Sequence, residues 1–518
     1  MSLENNKGTT RNTDEMVTIS RAEYENMQAQ IDWLTEQLTL SKKKQFGSST
    51  EKASEQVMEQ MSLLFNEAEI YADKQKEREE TEVKAHVRRK HSGSVRDIVP
   101  DDLAVEIVEH RLDEENRICE QCGTVMKEIG SESVETLVIV PAKAYIRRDV
   151  YYTYACMSCK ENELSTPIKQ TPKEKTVIPG GFASAEAVSY IATQKFVMYS
   201  PLYRQEQEWK RQGIQLSRQT MSNWLVRCAE EHLTPVYEEL HKQLLCEDII
   251  HADETKVQVL KKPDKKAQSD SFMWLYRSGK CAKRPIVLYE YQPSRGGQNP
   301  KNFLSGFKGY LQTDGYAGYN TVEDVVRVGC WAHARRKFDE AVQALPKGIK
   351  TGAAVTGEAY CSRLFQIEKE LEELSPEERY TQRQAQAKPV LDAFLTWAET
   401  RAAAPKSKLG QAFTYLKGQW PNLVNYLQDG RIEISNNRAE RSIKPFVMRR
   451  KNFLFANTPS GAKASAVIYS LIETAKESNL DPYRYLCYVL KTAPMLDRTV
   501  PDWVLPLLPE NAPIECKA

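Results

Sequence analysis

Two short apolar and β-branched runs, at 249–253 and 310–313, each deliver an aspartate, Asp253 and Asp314. No other feature constrains the fold of this chain more. Two further strand-like runs, 272–277 and 286–291, and a short helical stretch near Asn302 lie between them, and another run follows at 325–329. That order describes an α/β unit in which strand ends carry hard oxygen ligands toward one point, the arrangement that holds divalent cations over a phosphodiester. His251 precedes Asp253 by two residues and therefore shares its face.

A third carboxylate arrives after about 100 residues of mostly helical character ending near Gly430. In Asn436-Asn437-Arg438-Ala439-Glu440, Asn436 can cap a helix whose first turn holds Glu440, where the positive helix end favours carboxylate and phosphate alike. Lys444, Arg449, Arg450 and Lys451 follow as a basic surface suited to a DNA backbone. Glu433 and Glu473 are the rival third ligands, and a surface pairing of Glu440 with Lys444 is the plain alternative. Between the second aspartate and the glutamate lies Cys330-Trp331-Ala332-His333, half of a metal-binding pattern with no second half. Arg335, Arg336 and Lys337 follow it and are candidate phosphate contacts.

With 518 residues the chain exceeds one hydrophobic core, and 72 basic against 71 acidic residues leave a net charge of +1, so any nucleic-acid site rests on local clustering. The sequence has no apolar run of the roughly 18 to 20 residues that cross a bilayer, which leads us to expect a cytoplasmic, nucleoid-associated protein with no membrane partner. Eleven cysteines then point to thiols or metal ligands. Cys119 and Cys122, with Cys156 and Cys159, form two C-x-x-C knuckles that fit a closed tetrahedral Zn2+ site of zinc-ribbon type, with strand-forming sequence between them. Tyr24, Met27, Ile31, Leu34 and Leu38 keep the spacing of a heptad seam, which predicts a short coiled coil and a homodimer or larger assembly. The segment 203–212 reads as a helix, Gly213 opens a turn, and Ser217 caps a second helix over 218–228. In such a helix-turn-helix, Arg218, Gln219, Thr220 and Asn223 would face DNA; an ordinary helical hairpin is the alternative.

Taken together, these blocks resemble the insertion sequence 66 family of bacterial DDE transposases. The carriers are His251-Ala252-Asp253-Glu254-Thr255, Thr313-Asp314-Gly315-Tyr316, the block from Asn436 to Pro445, and Arg450-Lys451-Asn452-Phe453-Leu454-Phe455-Ala456. The order of heptad segment, basic Phe46-Gly47 stretch, double C-x-x-C and carboxylate core is similar as well. The resemblance implies an RNase H-like mixed sheet with Asp253, Asp314 and Glu440 as the catalytic triad, two Mg2+ ions that Mn2+ can replace, and His333 in support. It also implies cleavage and strand transfer on double-stranded DNA, with small accessory proteins of the same element as partners. A DNA-binding derivative without catalysis and a nuclease without strand transfer are the alternatives. The expected organisation is 1–90 coiled coil and charged linker, 91–178 zinc domain, 179–245 helical domain and 246–335 first part of the core. The helical insertion at 336–430, the second part of the core at 431–480 and a C-terminal helix and tail at 481–518 complete it.

Overall fold

The computed structural model describes residues 175–518, except 264–268, 347, 350, 454 and 455, and before them residues 27, 30, 31, 33–35, 37, 145–147, 149, 153–155 and 168–170. The described positions between 27 and 37 are helical, and Met27, Ile31 and Leu34 of the heptad seam are exposed. The basic stretch after the seam and Cys119, Cys122, Cys156 and Cys159 lie outside the described residues. Residues 73–173 form a compact unit of their own. Within it, β1 (Thr153–Ala155) pairs antiparallel with β2 (Ile168–Gln170).

Among the described residues from 175 onward, four α-helices precede the sheet: α1 (Ala185–Phe196), α2 (Leu202–Arg211), α3 (Arg218–Cys228) and α4 (Thr234–Leu244). The turn between α2 and α3 follows from its residues. Gly213 takes φ +80°, where a Cβ would be strained, and the Ser217 hydroxyl accepts the Thr220 N–H at 3.1 Å. Met221, Trp224 and Leu225 on α3 are buried, while Arg218, Gln219 and Asn223 are exposed. The four helices have no separate core: Val188, Leu225 and Val236 belong to the same apolar cluster as Ile250 and Trp274 of the sheet.

The sheet comprises β3 (Ile249–Gln258), β4 (Asp270–Ser278), β5 (Val287–Gln292), β6 (Gly309–Gln312) and β7 (Val325–Val328), with α5 (Gln298–Phe303) between β5 and β6. Its order is β5-β4-β3-β6-β7: the first three strands are antiparallel, and β3-β6 and β6-β7 are parallel. Tight turns can join antiparallel strands, whereas the parallel step from β5 to β6 requires a crossover, which α5 supplies. One face of β3 and β4 is closed by a stack of aromatic rings: Trp274, Tyr276, Phe303 and Tyr319. The other face carries His251, Asp253 and Arg277.

Five helices follow β7: α6 (Trp331–Gln343), α7 (Ala353–Glu370), α8 (Pro376–Gln382), α9 (Lys388–Glu399) and α10 (Lys408–Leu423). They bury a second core around Trp331, Phe338, Phe394 and Leu416. At about 1.5–3 kcal/mol for each large apolar side chain taken out of water, this core holds the helices of the insertion together. The chain then returns to the sheet as α11 (Asn437–Phe453), crosses it, and covers β5 with α12 (Pro459–Glu477). There Ser470 and Thr474 accept the N–H groups of Tyr289 and Val287, which satisfies the edge strand. After α13 (Pro482–Thr492) the tail is not loose: Leu507 and Leu508 are buried, and Asp481 N–H donates to the Cys516 carbonyl at 2.8 Å.

Candidate active site

The parallel ladder sets the site. Its last pair is His251 with Gln312; Asp253 lies two residues further along within β3, on the face of His251, and Asp314 lies two residues further along in the turn that follows β6. Asp253 is buried, and its carboxylate accepts the Glu254 N–H at 2.8 Å. Asp314 sits in the turn after β6, where its side chain accepts the Tyr316 N–H at 2.9 Å and its carbonyl accepts the Tyr415 hydroxyl at 2.8 Å. Gly315 is required there: φ is +98°, and an added Cβ would lie 3.0 Å from the Gln419 side chain of α10. The helical insertion thus helps to fix the second aspartate.

Glu440 lies in the first turn of α11 and is buried. The expectation that the Asn436 side chain caps this helix is corrected by the structure. The backbone carbonyl of Asn436 accepts the Ala439 and Glu440 N–H groups, at 3.0 and 3.2 Å, while its side chain ties the helix to β3. Asn436 Nδ2 donates to the Ala252 carbonyl at 2.9 Å, which leaves Oδ1 to take the proton of His251 Nδ1 at 3.1 Å. The far side of the same imidazole, Nε2, lies 3.2 Å from Glu433. Glu433, one rival for the third ligand, is also held by Arg438 at 2.6 Å. Burial would raise its pKa, but the His251 contact and the Arg438 guanidinium hold it well below the usual carboxylate range. Glu473, the other rival, pairs with Lys476 at 2.8 Å on the helix that covers β5.

The start of α6 is drawn to the start of α11 by two bonds. Trp331 N–H donates to the Ile434 carbonyl at 3.1 Å, and Asn436 N–H donates to the Cys330 sulfur at 3.2 Å. His333 Nδ1 consequently lies 3.7 Å from Glu440. Burial, helped by the charges of Arg336 and Lys337, pushes the His333 pKa down against the pull of Asp314, so the ring is neutral. Cys330 is fully buried, and burial together with the Glu440 charge pushes its thiol pKa up.

Electrostatics join the three carboxylates. Burial comes first in raising the Asp253 pKa well above the usual range, and the negative charges of Glu254, Asp314 and Glu440 add to it. Like charges held this close, and desolvated, make a donor set suited to a hard divalent cation: oxygen ligands whose mutual repulsion the cation would relieve. Glu254 belongs to the opposite face. Arg295 grips it at 2.8 and 2.5 Å and Tyr319 at 2.6 Å, and the Arg295 guanidinium stacks 3.9 Å from the Tyr316 ring centre. These contacts lock the turn of Asp314 against β3 from behind.

Comparison with known proteins agrees with this geometry. A family model described as Transposase IS66 family matches residues 180–464, more than half of the chain. The chain belongs to the IS66 transposase family. Further models of the same family match in order: one described as Transposase C of IS166 homeodomain at 33–108, the zinc-finger binding domain of transposase IS66 at 116–160, and the IS66 C-terminal element at 470–504. The zinc-finger match spans all four cysteines of the double C-x-x-C. Similar proteins include the uncharacterized protein y4jD of Sinorhizobium fredii, 33% identical over 73% of this chain and 75% of the relative. The uncharacterized protein y4hP of the same organism is 29% identical over 79% of this chain and 78% of the relative.

Within this IS66 family chain, the structure removes two residues from the expected DNA surface. Arg335 and Arg336 are buried; Arg335 pairs with Glu358 at 3.0 Å and bonds Ser362, and Arg336 lies 3.7 Å from Glu340. Arg335 joins α6 to α7, while Arg336 is buried beside a carboxylate of its own helix, an orientation that a run of basic residues does not reveal. Lys444 is exposed on α11, which also carries Arg449, Arg450 and Lys451. Sequence reasoning left Glu254 and Arg295 without roles, and the Asn436–His251 tie was hidden by 185 residues of separation.

Proposed function

We propose that this IS66 family chain is a DDE transposase: a multidomain α/β protein whose RNase H-like core cuts the ends of its element and joins them to target DNA. The observation that carries the reading is the electrostatic cluster of Asp253, Asp314 and Glu440. The first lies on β3, the second in the turn that follows the adjacent parallel strand β6, and the third is delivered by α11. The strand order β5-β4-β3-β6-β7, three antiparallel strands followed by two parallel ones, supports the RNase H-like assignment.

Asp253 and Asp314 would hold two Mg2+ ions together, with Glu440 completing the second, and Mn2+ would substitute. When bound, such ions lower the pKa of an attacking water or 3'-hydroxyl and neutralise charge on the leaving oxygen. The chain's own part is placement. Asn436 and His251 keep Glu440 over β3, Arg295 and Tyr415 fix the Asp314 turn, and neutral His333 stands beside Glu440 to orient or accept a proton. Lys444, with Arg449, Arg450 and Lys451, would track the phosphates near the scissile bond, and Arg218, Gln219, Thr220 and Asn223 of α3 would hold the element end. Cys119, Cys122, Cys156 and Cys159 would bind a structural Zn2+. The exposed heptad face of the N-terminal helix would join two protomers, since two element ends must be brought together.

The test is cleavage of a labelled duplex carrying the element's end, with Mg2+ or Mn2+, by the full chain and by Asp253→Asn, Asp314→Asn and Glu440→Gln. We expect each variant to bind the duplex and lose cutting by at least 100-fold, and the parent to yield joined product with a target duplex. Normal cutting by Glu440→Gln would displace the third ligand. Cutting without joining would leave a nuclease, and binding without cutting a non-catalytic DNA-binding protein.

A further inference from the structure

Beside the all-oxygen cluster lies a second set of donors of different chemistry. The Cys330 sulfur, a ring nitrogen of His333 and a carboxylate oxygen of Glu440 all lie within 4.8 Å of one another. His333 Nδ1 is buried without a hydrogen-bond partner and faces Glu440 at 3.7 Å. A sulfur, nitrogen and oxygen set is poor for Mg2+, which takes oxygen, and good for borderline and softer ions. Ligand atoms around a tetrahedral zinc, with bonds of about 2.0–2.3 Å, stand roughly 3.3–3.8 Å apart, so the sides of this triangle need contract by about 1.5 Å at most.

We propose that Cys330, His333 and Glu440 form a binding site for a thiophilic divalent cation of the Zn2+ or Co2+ class, and that filling it withdraws Glu440 from the cluster with Asp253 and Asp314. The site shares one ligand with the proposed Mg2+ centre, so the two ions compete for Glu440. Binding converts the Cys330 thiol to a metal-bound thiolate and releases its one proton to solvent. The Asn436 N–H, already 3.2 Å from the sulfur, then stabilises the thiolate. His333 supplies the lone pair of its unpartnered nitrogen, and a water takes the fourth position, as in zinc sites with three protein ligands. The consequence is a block. Free Zn2+ would hold the enzyme inactive at a Mg2+ concentration that otherwise supports it. The inhibitory consequence rests on the transposase reading; the binding site does not.

The experiment titrates the full chain, its four-cysteine domain already filled with Zn2+, with Co2+ alone and records the sulfur-to-cobalt charge-transfer absorption of parent, Cys330→Ser and His333→Ala. The parent should gain one cobalt-thiolate absorption. Cys330→Ser should abolish that increment, and His333→Ala should demand at least 10-fold more Co2+ to reach it. Because His333→Ala keeps the thiol, it decides the matter if Cys330→Ser fails to fold. An absorption that persists in Cys330→Ser, or none gained by the parent, overturns the site. In the cutting assay, the Zn2+ concentration that halves each protein's own rate should rise at least 10-fold in Cys330→Ser. An unchanged value overturns the competition for Glu440. Should the chain cut no DNA at all, the transposase reading fails while the cobalt titration still decides the site.

Discussion

Asn436→Ala tests whether the tie between β3 and α11 holds the third carboxylate in place. Asn436 is fully buried, and its amide joins the Ala252 carbonyl at 2.9 Å and His251 Nδ1 at 3.1 Å. Truncation strands an acceptor and a donor where water has little access. Each orphan costs about 1–3 kcal/mol, so the pair costs on the order of 3 kcal/mol once partial relaxation is allowed. Spread over the unit that contains residues 174–518, with an unfolding entropy of about 2.1 cal/mol/K per residue, that lowers Tm by roughly 4 °C. Differential scanning fluorimetry of the metal-free chain measures it, with exposed Gln219→Ala as the control. The same variant should lose most of the Tm rise that Mg2+ gives the parent, because Glu440 then moves on an unmoored helix. A Tm drop under about 1 °C, with the Mg2+ response intact, would refute the anchoring role.

The pH dependence of Asp253→Asn follows from the raised pKa of Asp253. A carboxyl whose folded pKa lies above its unfolded value of 3.8 costs no stability below that value, and costs progressively more as pH rises toward its folded pKa. Metal-free Asp253→Asn should therefore melt above the parent at pH 8, with the gap closing as pH falls toward 4; a gap independent of pH contradicts the mutual repulsion. Arg335→Ala should destabilise the insertion, near the lower end of the ~3–5 kcal/mol for breaking a buried pair because Glu358 is partly exposed. Its affinity for end DNA, measured at a temperature where it stays folded, should match the parent's, and a weakened salt dependence of binding would return Arg335 to the DNA surface.

The sequence by itself determined what depends on neighbours along the chain. The period-two runs placed β3 to β7 within a few residues, except that β3 extends to Gln258, past the aspartate that marked its expected end. Ser217 and Gly213 set the turn between α2 and α3 because capping and positive φ are local properties. The aspartates were legible because a carboxylate ending a strand-like run is visible in a window of a few residues. Tertiary structure decided whatever depends on burial and on partners far along the chain. Asn436 reads as a helix cap, yet packing β3 beneath it offers His251 and Ala252, and its side chain goes there. Cys330 and His333 read as half of a metal site until the two bonds from Trp331 and Asn436 bring Glu440 to them. Arg335 reads as a candidate phosphate contact until α7 supplies Glu358 and the side chain is buried. In each case the local pattern is compatible with two environments. The choice between them rests on which groups the folded sheet and the insertion remove from water, and that is settled only when segments about 20 to 185 residues apart meet.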